Sequence, residues 1–435
     1  MFSLILNVGE DVIVLFGPDI VEPIKGCRRR PGKELGETFQ EELEIILHGA
    51  PGSIDAFIRS VEMAFSRIRL GQAEAVLSLV PDLRETPYKS KVLAGSIAFL
   101  GHGSADRMRG GMGICLTIER ENFWEGSLRA AALSNVHGNN QPELLVDNSY
   151  ASGRNPFAMI VGSTISGELP APARVRIENV RAGKVYAEVY LGEGFHGLGD
   201  LRPYFEGESG LSEITSGVVP DASSSGGAYT LVQWSGTAEV ESLYWVIDHE
   251  LARWMDGRVF RPVVRFAAAP GADFWVRWGV KHGESLEVSA WQKLESGKLL
   301  QALPAVHVPP VSLGDVAVED VRLSLFCRRD VSGGHSLAVD FVYLMAVDGW
   351  RTYATLGSGG LAVGERLVDE RGLVISEATS TGRWKITHQG IGKGIWMVPG
   401  VDMYLAALMG EVGGSCAIDD QVKLKVEYRP RRKNL

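Results

Sequence analysis

Hydrophobic positions recur at helical spacing over one long stretch of this chain. Ile54, Phe57, Ile58, Val61, Ala64, Phe65 and Ile68 fall at i, i+3, i+4 and i+7. That spacing predicts an amphipathic helix over 53–70 with Ser53 as its N-cap. On either side the period is two. Leu43, Ile45 and Leu47 face one way from a strand at Glu42–Leu47, with Glu42 and Glu44 opposite. Met112, Ile114, Leu116 and Ile118 alternate with Gly113, Cys115, Thr117 and Glu119. The block closes at Arg120-Glu-Asn-Phe-Trp-Glu-Gly126. A lone helix on a β-core suits an assembly module better than a catalytic one.

The rest of the chain reads as short strands between turn signals. Residues 134–142 are rich in turn formers, so a linker is expected over 134–155. Beyond it Val175 and Ile177 alternate with Arg174 and Arg176, and Val185, Ala187, Val189 and Leu191 with Tyr186, Glu188 and Tyr190. Ser223–Gly227, Ala269–Ala272 and Ser332–His335 punctuate the following strands, as in a sandwich or jelly roll. The closing strand places Val422, Leu424, Val426 and Tyr428 on one face. The expected fold is mainly β, with an α+β N-terminal module: a barrel or sheet with one packed helix, then one or two β-sandwich domains of jelly-roll or galectin-like type. The expected division is an α+β module over 1–133, the linker, a C-terminal sandwich from 156–200 and 351–435, and a jelly roll over 201–350.

Composition supports this and removes some functions. Fifty-two glycines in 435 residues favour turns over long helices. A net charge of −9 argues against nucleic acid as the main partner. Cys27, Cys115, Cys327 and Cys416 lie far apart with no paired spacing, which predicts free thiols made in a reducing cytoplasm, with Cys115 buried. The first residues read as a strand and not as a leader, and no apolar run is long enough to span a bilayer. The basic end, Arg429 to Lys433, is expected to be solvated.

Candidate chemistry is sparse. His249-Glu250-Leu-Ala-Arg253 has Arg where a zinc helix needs its second His. No other histidine pair has ligand spacing, so no metal is assigned; a structural calcium is compatible with a sandwich, but no ligands are placed. The glycine clusters at 357–364 and 390–394 lack the Lys-Ser/Thr ending of a phosphate loop and read as tight turns. No nucleophile elbow, Cys–His pair or acid pair marks a catalytic residue, so no enzyme and no cofactor are expected. Six of the ten tryptophans cluster between Trp234 and Trp291. In Phe274-Trp-Val-Arg-Trp278, alternation puts Phe274, Val276 and Trp278 on one face and Trp275 and Arg277 on the other. Flat indoles stack on the C–H faces of sugars, so Trp275 with Arg277, backed by Trp254 and Trp291, is the candidate glycan platform. Core packing of the same rings is the competing account.

Three stretches in order resemble the distal tail proteins of long-tailed bacteriophages and related tail-tip or baseplate components. They are the N-terminal block with Tyr88-Lys-Ser-Lys-Val-Leu-Ala-Gly95 and its Trp124 segment, Gly167-Glu-Leu-Pro-Ala-Pro172 leading into a strand, and Val398-Pro-Gly400 with the closing Val422–Arg432 run. The resemblance covers about half the chain, at its two ends, and 200–350 has no counterpart in the simplest members. It implies a structural virion protein that forms a ring, commonly a hexamer, between the tail tube and the host-recognition hub. The inserted sandwich would contact host glycan, without nucleic acid or membrane insertion. Such a protein is made in the host cytoplasm and resides in the virion tail tip. The alternatives are a non-viral carbohydrate-binding adhesion protein and a tail tube protein; a glycoside hydrolase is the enzyme rival.

Overall fold

A computed structural model describes residues 3–18, 22–81, 86–101, 111–135, 141–149, 156–195, 203–283, 285–310, 321–356 and 359–433. The chain is mainly β and divides into two compact units, one built from 1–129, 166–171 and 429–435 and the other from 130–165 and 172–428.

In the first unit seven antiparallel strands follow the order Asp11–Phe16, Ser3–Val8, Ala75–Val80, Tyr88–Leu100, Gly111–Glu121, Thr38–His48, Ile24–Leu35. Helix α1, Pro51–Arg69, buries Ile54, Ile58, Val61, Ala64 and Phe65 against that sheet. Gly95 makes the approach close, since a Cβ there would lie 2.2 Å from the Phe65 ring. The expected cap does not form. Ala50 is the N-cap and Pro51 opens the helix, so the missing proline N–H stands where no intrahelical bond is needed, and Ser53 lies inside the first turn.

Alternation fixes both faces of the long strands, with Leu43, Ile45, Leu47, Ile114, Leu116 and Ile118 all buried. Cys115 is half-buried instead of buried, because the same alternation turns it away from the helix. On the buried face Glu41, 1% exposed, accepts from Arg120 at 2.6 Å and from Arg29 at 2.7 Å. Arg120 also lies over the rings of Phe39 (4.6 Å) and Trp124 (4.3 Å). Two cations thus satisfy one buried carboxylate, and two rings pack against one of those cations. The basic end is not a loose, solvated tail: Arg431–Arg432 pairs with Trp124–Glu125, and Arg431 donates to Glu125 at 2.8 Å.

The second unit stacks four sheets. An eight-stranded sheet runs Leu144–Asp147, Gln421–Tyr428, Ala171–Asn179, Glu365–Glu370, Leu373–Ala378, Trp384–Lys385, with two short strands off this path. Strand Leu144–Asp147 therefore lies in the stretch expected as linker, of which 136–140 and 150–155 are outside the described residues. A six-stranded sheet contains Phe157–Ile160, Met403–Glu411, Val185–Phe195, Trp350–Thr355 and His388–Gly392. The Tyr186 hydroxyl accepts from the Gln421 amide (2.9 Å), and Arg351 donates to Asp369 (2.5 Å), tying these two sheets together.

The other pair comes from residues 204–346. A seven-stranded sheet centres on Gly334–Ala346, and a five-stranded sheet runs Val240–Val246, Val321–Arg329, Phe274–His282, Ser285–Val288. Between them lies a core that includes Trp245 and Trp278, stacked at 6.0 Å.

The two inner sheets are covered on both sides, which removes alternation from their central strands. In Met403–Glu411 every residue but Glu411 is buried. In Gly334–Ala346, Leu337, Val339, Val342 and Leu344 enter the core of the 204–346 sandwich. Phe341, Tyr343 and Met345 instead meet Phe157, Tyr190 and Tyr404 of the six-stranded sheet. The switch of faces falls at Asp340, where pairing with Val259–Phe266 slips by one residue. Asp340 is fully buried; it accepts from the Ser225 amide at 2.9 Å and pairs with Arg265, itself 4% exposed.

Arg265→Ala leaves Asp340 buried without its cation and should lower unfolding stability by about 3 kcal/mol or more in a denaturant titration. Glu193, 7% exposed, is pushed up from 4.5 to about 8, chiefly by burial. The folded chain then holds a proton that the unfolded chain releases, so this group's contribution to stability falls as pH rises from about 4.5 to about 8. Glu193→Gln should show no gain in thermal midpoint near pH 4 and a clear gain near pH 9.

Candidate functional site

The outer face of the five-stranded sheet collects most of the candidate residues. Along Phe274–His282, Phe274, Val276 and Trp278 are buried in the core, while Trp275, Arg277 and Lys281 project from the other face. The antiparallel neighbour Val321–Arg329 sets Arg328 opposite Trp275, Phe326 opposite Arg277, Ser324 opposite Gly279 and Arg322 opposite Lys281. Gly279 is required by the packing: a Cβ there would stand 2.7 Å from the Phe326 ring and 2.9 Å from Leu286. Trp291 arrives just after the Ser285–Val288 hairpin, where Gln292–Lys293 rejoins the strand beside Trp275 and Val276.

These side chains form an alternating ladder of rings and guanidinium groups. Arg277 lies 5.5 Å from the Phe326 ring and 4.8 Å from Trp291. Arg328 lies 4.6 Å from Trp291 and 5.4 Å from Trp275. The quadrupole of each ring attracts the neighbouring cation, by about 0.5–1 kcal/mol per pair where exposed and more where water is excluded. Acids orient the ladder from its margin. Arg277 donates to Glu239 through Nε (3.0 Å) and Nη2 (2.5 Å), and Trp275 Nε1 donates to Asp330 (2.8 Å). Glu241 accepts from Ser324 at 2.5 Å.

Of the four residues singled out from sequence, Trp275, Arg277 and Trp291 come together. Trp254 does not join them. It sits on a short helix, α2 (His249–Met255), packed against Phe260 at 5.6 Å with Arg258 4.7 Å above its ring. A helix turns its side chains by 100° per residue, so strand logic could not place it. Arg328 and Phe326 went unnoticed in the sequence. Their own alternation with Leu325 and Cys327 marked them as outward-facing, but the register that brings them to Trp275 joins strands about fifty residues apart in sequence.

The acidic residues make no comparable site. Among the described residues no three His, Cys, Asp or Glu side chains converge as metal ligands. His196 and Gly357–Ser358, the latter within the first glycine cluster, lie outside the described residues. Glu206 accepts from the Ser225 hydroxyl (2.7 Å) and is pushed up to about 8 by burial. Asp340, nearby in that network, is raised to about 6 by the same cause despite Arg265. Glu206 and the Arg265-paired Asp340 belong to the seven-stranded sheet, and neither faces the ladder.

No protein-family model and no curated protein matches this chain. Solved structures align with it at low identity. They include the phage P2 baseplate in its activated conformation with Ca, at 8% identity over 76% of this chain and 98% of that one, TM-score 0.22. A carbohydrate-binding module of the β-sandwich superfamily aligns at 10% identity over 62% of this chain and 91% of that one, TM-score 0.21. The exo-β-1,3-galactanase of Phanerochaete chrysosporium aligns at 10% identity over 70% and 78%, TM-score 0.21. At such TM-scores these likenesses carry no functional argument, and what the chain does has to be reasoned from its own strand edges and side chains.

Proposed function

We propose that this chain is a structural protein of a phage or phage-like tail tip, whose first unit builds a ring between the tail tube and the host-recognition hub. One observation supports the reading above the rest. Four long antiparallel strands, Ile24–Leu35, Thr38–His48, Gly111–Glu121 and Tyr88–Leu100, lie side by side. Ile24–Leu35 ends the sheet, and residues 93–100 of the last strand pair only with Gly111–Glu121 among the described residues. The patch therefore offers one unpaired edge on each side. Edges on opposite sides of one patch fit head-to-tail pairing between copies, which closes into a ring when the rotation permits. Phe99 and Leu100 sit half-exposed on one such edge. The order of segments resembling distal tail proteins points the same way and suggests a hexamer, with tube and hub proteins as partners. No catalytic step is assigned.

A second role in host-glycan contact is favoured by the ladder of Phe326, Arg277, Trp291, Arg328 and Trp275. Its rings lie on an outer sheet face and are held by neighbours, so little side-chain entropy remains to be lost on stacking.

Mass photometry with negative-stain imaging of the purified chain should show a closed ring with a central channel, and a monodisperse monomer would overturn the ring. Phe99→Asp should release monomers with an unchanged thermal midpoint, because that ring is half-exposed in the single chain. Trp275→Ala should abolish signal on a glycan array while the ring persists; unchanged binding would remove Trp275 from the glycan role.

A further inference from the structure

The cations on the ladder face are unequally matched. Glu239 holds Arg277, while Glu241 and Asp330 are engaged by Ser324 and Trp275. Arg328 is flanked by two indoles and meets no carboxylate among the described residues, and its Nε is shielded from solvent without a hydrogen-bond partner. Arg322 has only the Tyr244 ring, at 4.8 Å, and forms no ion pair among the described residues. Lys281, directly across the ladder from Arg322, has none either. Two like charges facing each other on adjacent strands repel, and among the described residues no acid pairs with either of them.

Arg322 and Arg328 stand six residues apart on one strand, about 20 Å at the rise of extended chain. Lys281, Arg322 and Arg328 therefore mark out a row of positive charge beside Trp275 and Trp291. Leu286 and Val288 border the row, 46% and 41% exposed. In a protein of net charge −9, these three cations and Arg277 outnumber by one the carboxylates of Glu239, Glu241 and Asp330 on this face.

We infer that this face binds a polyanionic glycan, an inference that rests on the glycan role proposed above. Its carboxylate or phosphate groups meet Lys281, Arg322 and Arg328, and its sugar rings lie on Trp275 and Trp291. Guanidinium groups suit both anions, since each offers oxygens at the spacing of the N–H fork. A neutral glycan would use the rings and leave the repulsion between Lys281 and Arg322 unrelieved.

The test is affinity electrophoresis of the full chain in gels containing polygalacturonate, its methyl ester or phosphorylated dextran, with polyglutamate as a polyanion without sugar rings. Polygalacturonate or phosphorylated dextran should retard the chain, identifying carboxylate or phosphate as the partner, and the methyl ester should bind about tenfold more weakly or not at all. Lys281→Glu and Arg328→Gln should each weaken binding about tenfold. Lys281→Glu should also raise the thermal midpoint, because it turns a like-charge pair into an opposite one; that rise would show that the lost binding is not lost folding. Equal retardation by the methyl ester, unchanged in Lys281→Glu, would overturn the polyanion inference and leave the glycan role standing. Equal retardation by polyglutamate, unchanged in Trp275→Ala, would also overturn it. No retardation by these gels or by any neutral glycan would end both.

Discussion

The pair between Arg265 and Asp340 decides how the second unit is layered. A strand that alternates strictly sends every second side chain to the same core. Gly334–Ala346 must serve two cores at once, and the slip at Asp340 lets Leu337 and Val339 share a core with Val342 and Leu344. The side chains between them, Phe341, Tyr343 and Met345, turn to the six-stranded sheet. At this bulge the Asp340 carboxylate is buried, where it pairs with Arg265 and accepts from the Ser225 amide. Arg265 also donates to the carbonyls of Cys416 (2.9 Å) and Ser223 (3.1 Å), so the cation gathers three chain segments around the irregularity. Breaking such a pair strands a charge in low dielectric, a larger loss than any single apolar contact nearby.

The aromatic seam depends on that switch. Phe157 meets Tyr343 edge-to-face at 5.6 Å and Tyr404 at 5.5 Å, and Tyr204 stacks on Phe341 at 4.9 Å. Such pairs add about 0.5–1.5 kcal/mol each beyond the area they bury. Gly192 and Gly194 make room: a Cβ would stand 2.9 Å from Met345 at the first and 2.2 Å from the Tyr404 ring at the second. With its inner sheet held on both sides, the 204–346 sandwich presents the ladder on a stiff support. The rings of that ladder are ordered by guanidinium groups above and by the tryptophan core beneath, so their geometry does not depend on a ligand.

The legible parts of this chain were those written locally. Period two gave the faces of Glu42–Leu47, Met112–Glu119 and Phe274–Trp278, and period 3.6 gave the helix to within two residues of its observed start. Both periods report which side of an element is buried. They say little about ends, which is why Pro51 rather than Ser53 governs helix entry, and why Arg431 was read as solvated when it completes a strand. Register between distant strands has no local signature either. Trp275, Arg277 and Trp291 could be nominated from one stretch, but Arg328, which links two of them, could not, and the unmatched pairing of Lys281 with Arg322 exists only once the register is known. The service of Gly334–Ala346 to two cores has no local signature either.

The ring proposed above would be built through the two edges left unpaired among the described residues of the first unit. An edge that can accept one copy leaves its opposite edge open on the growing assembly, so addition has a direction and no intrinsic stopping point. Only the angle accumulated per copy brings the last edge back to the first. In the ring proposed above, strand twist would be the quantity that counts subunits, and Gly113 and Ala98, on the face away from the helix, lie in the strands whose twist would set it. A change there would convert a closed object into an open filament without weakening a single hydrogen bond.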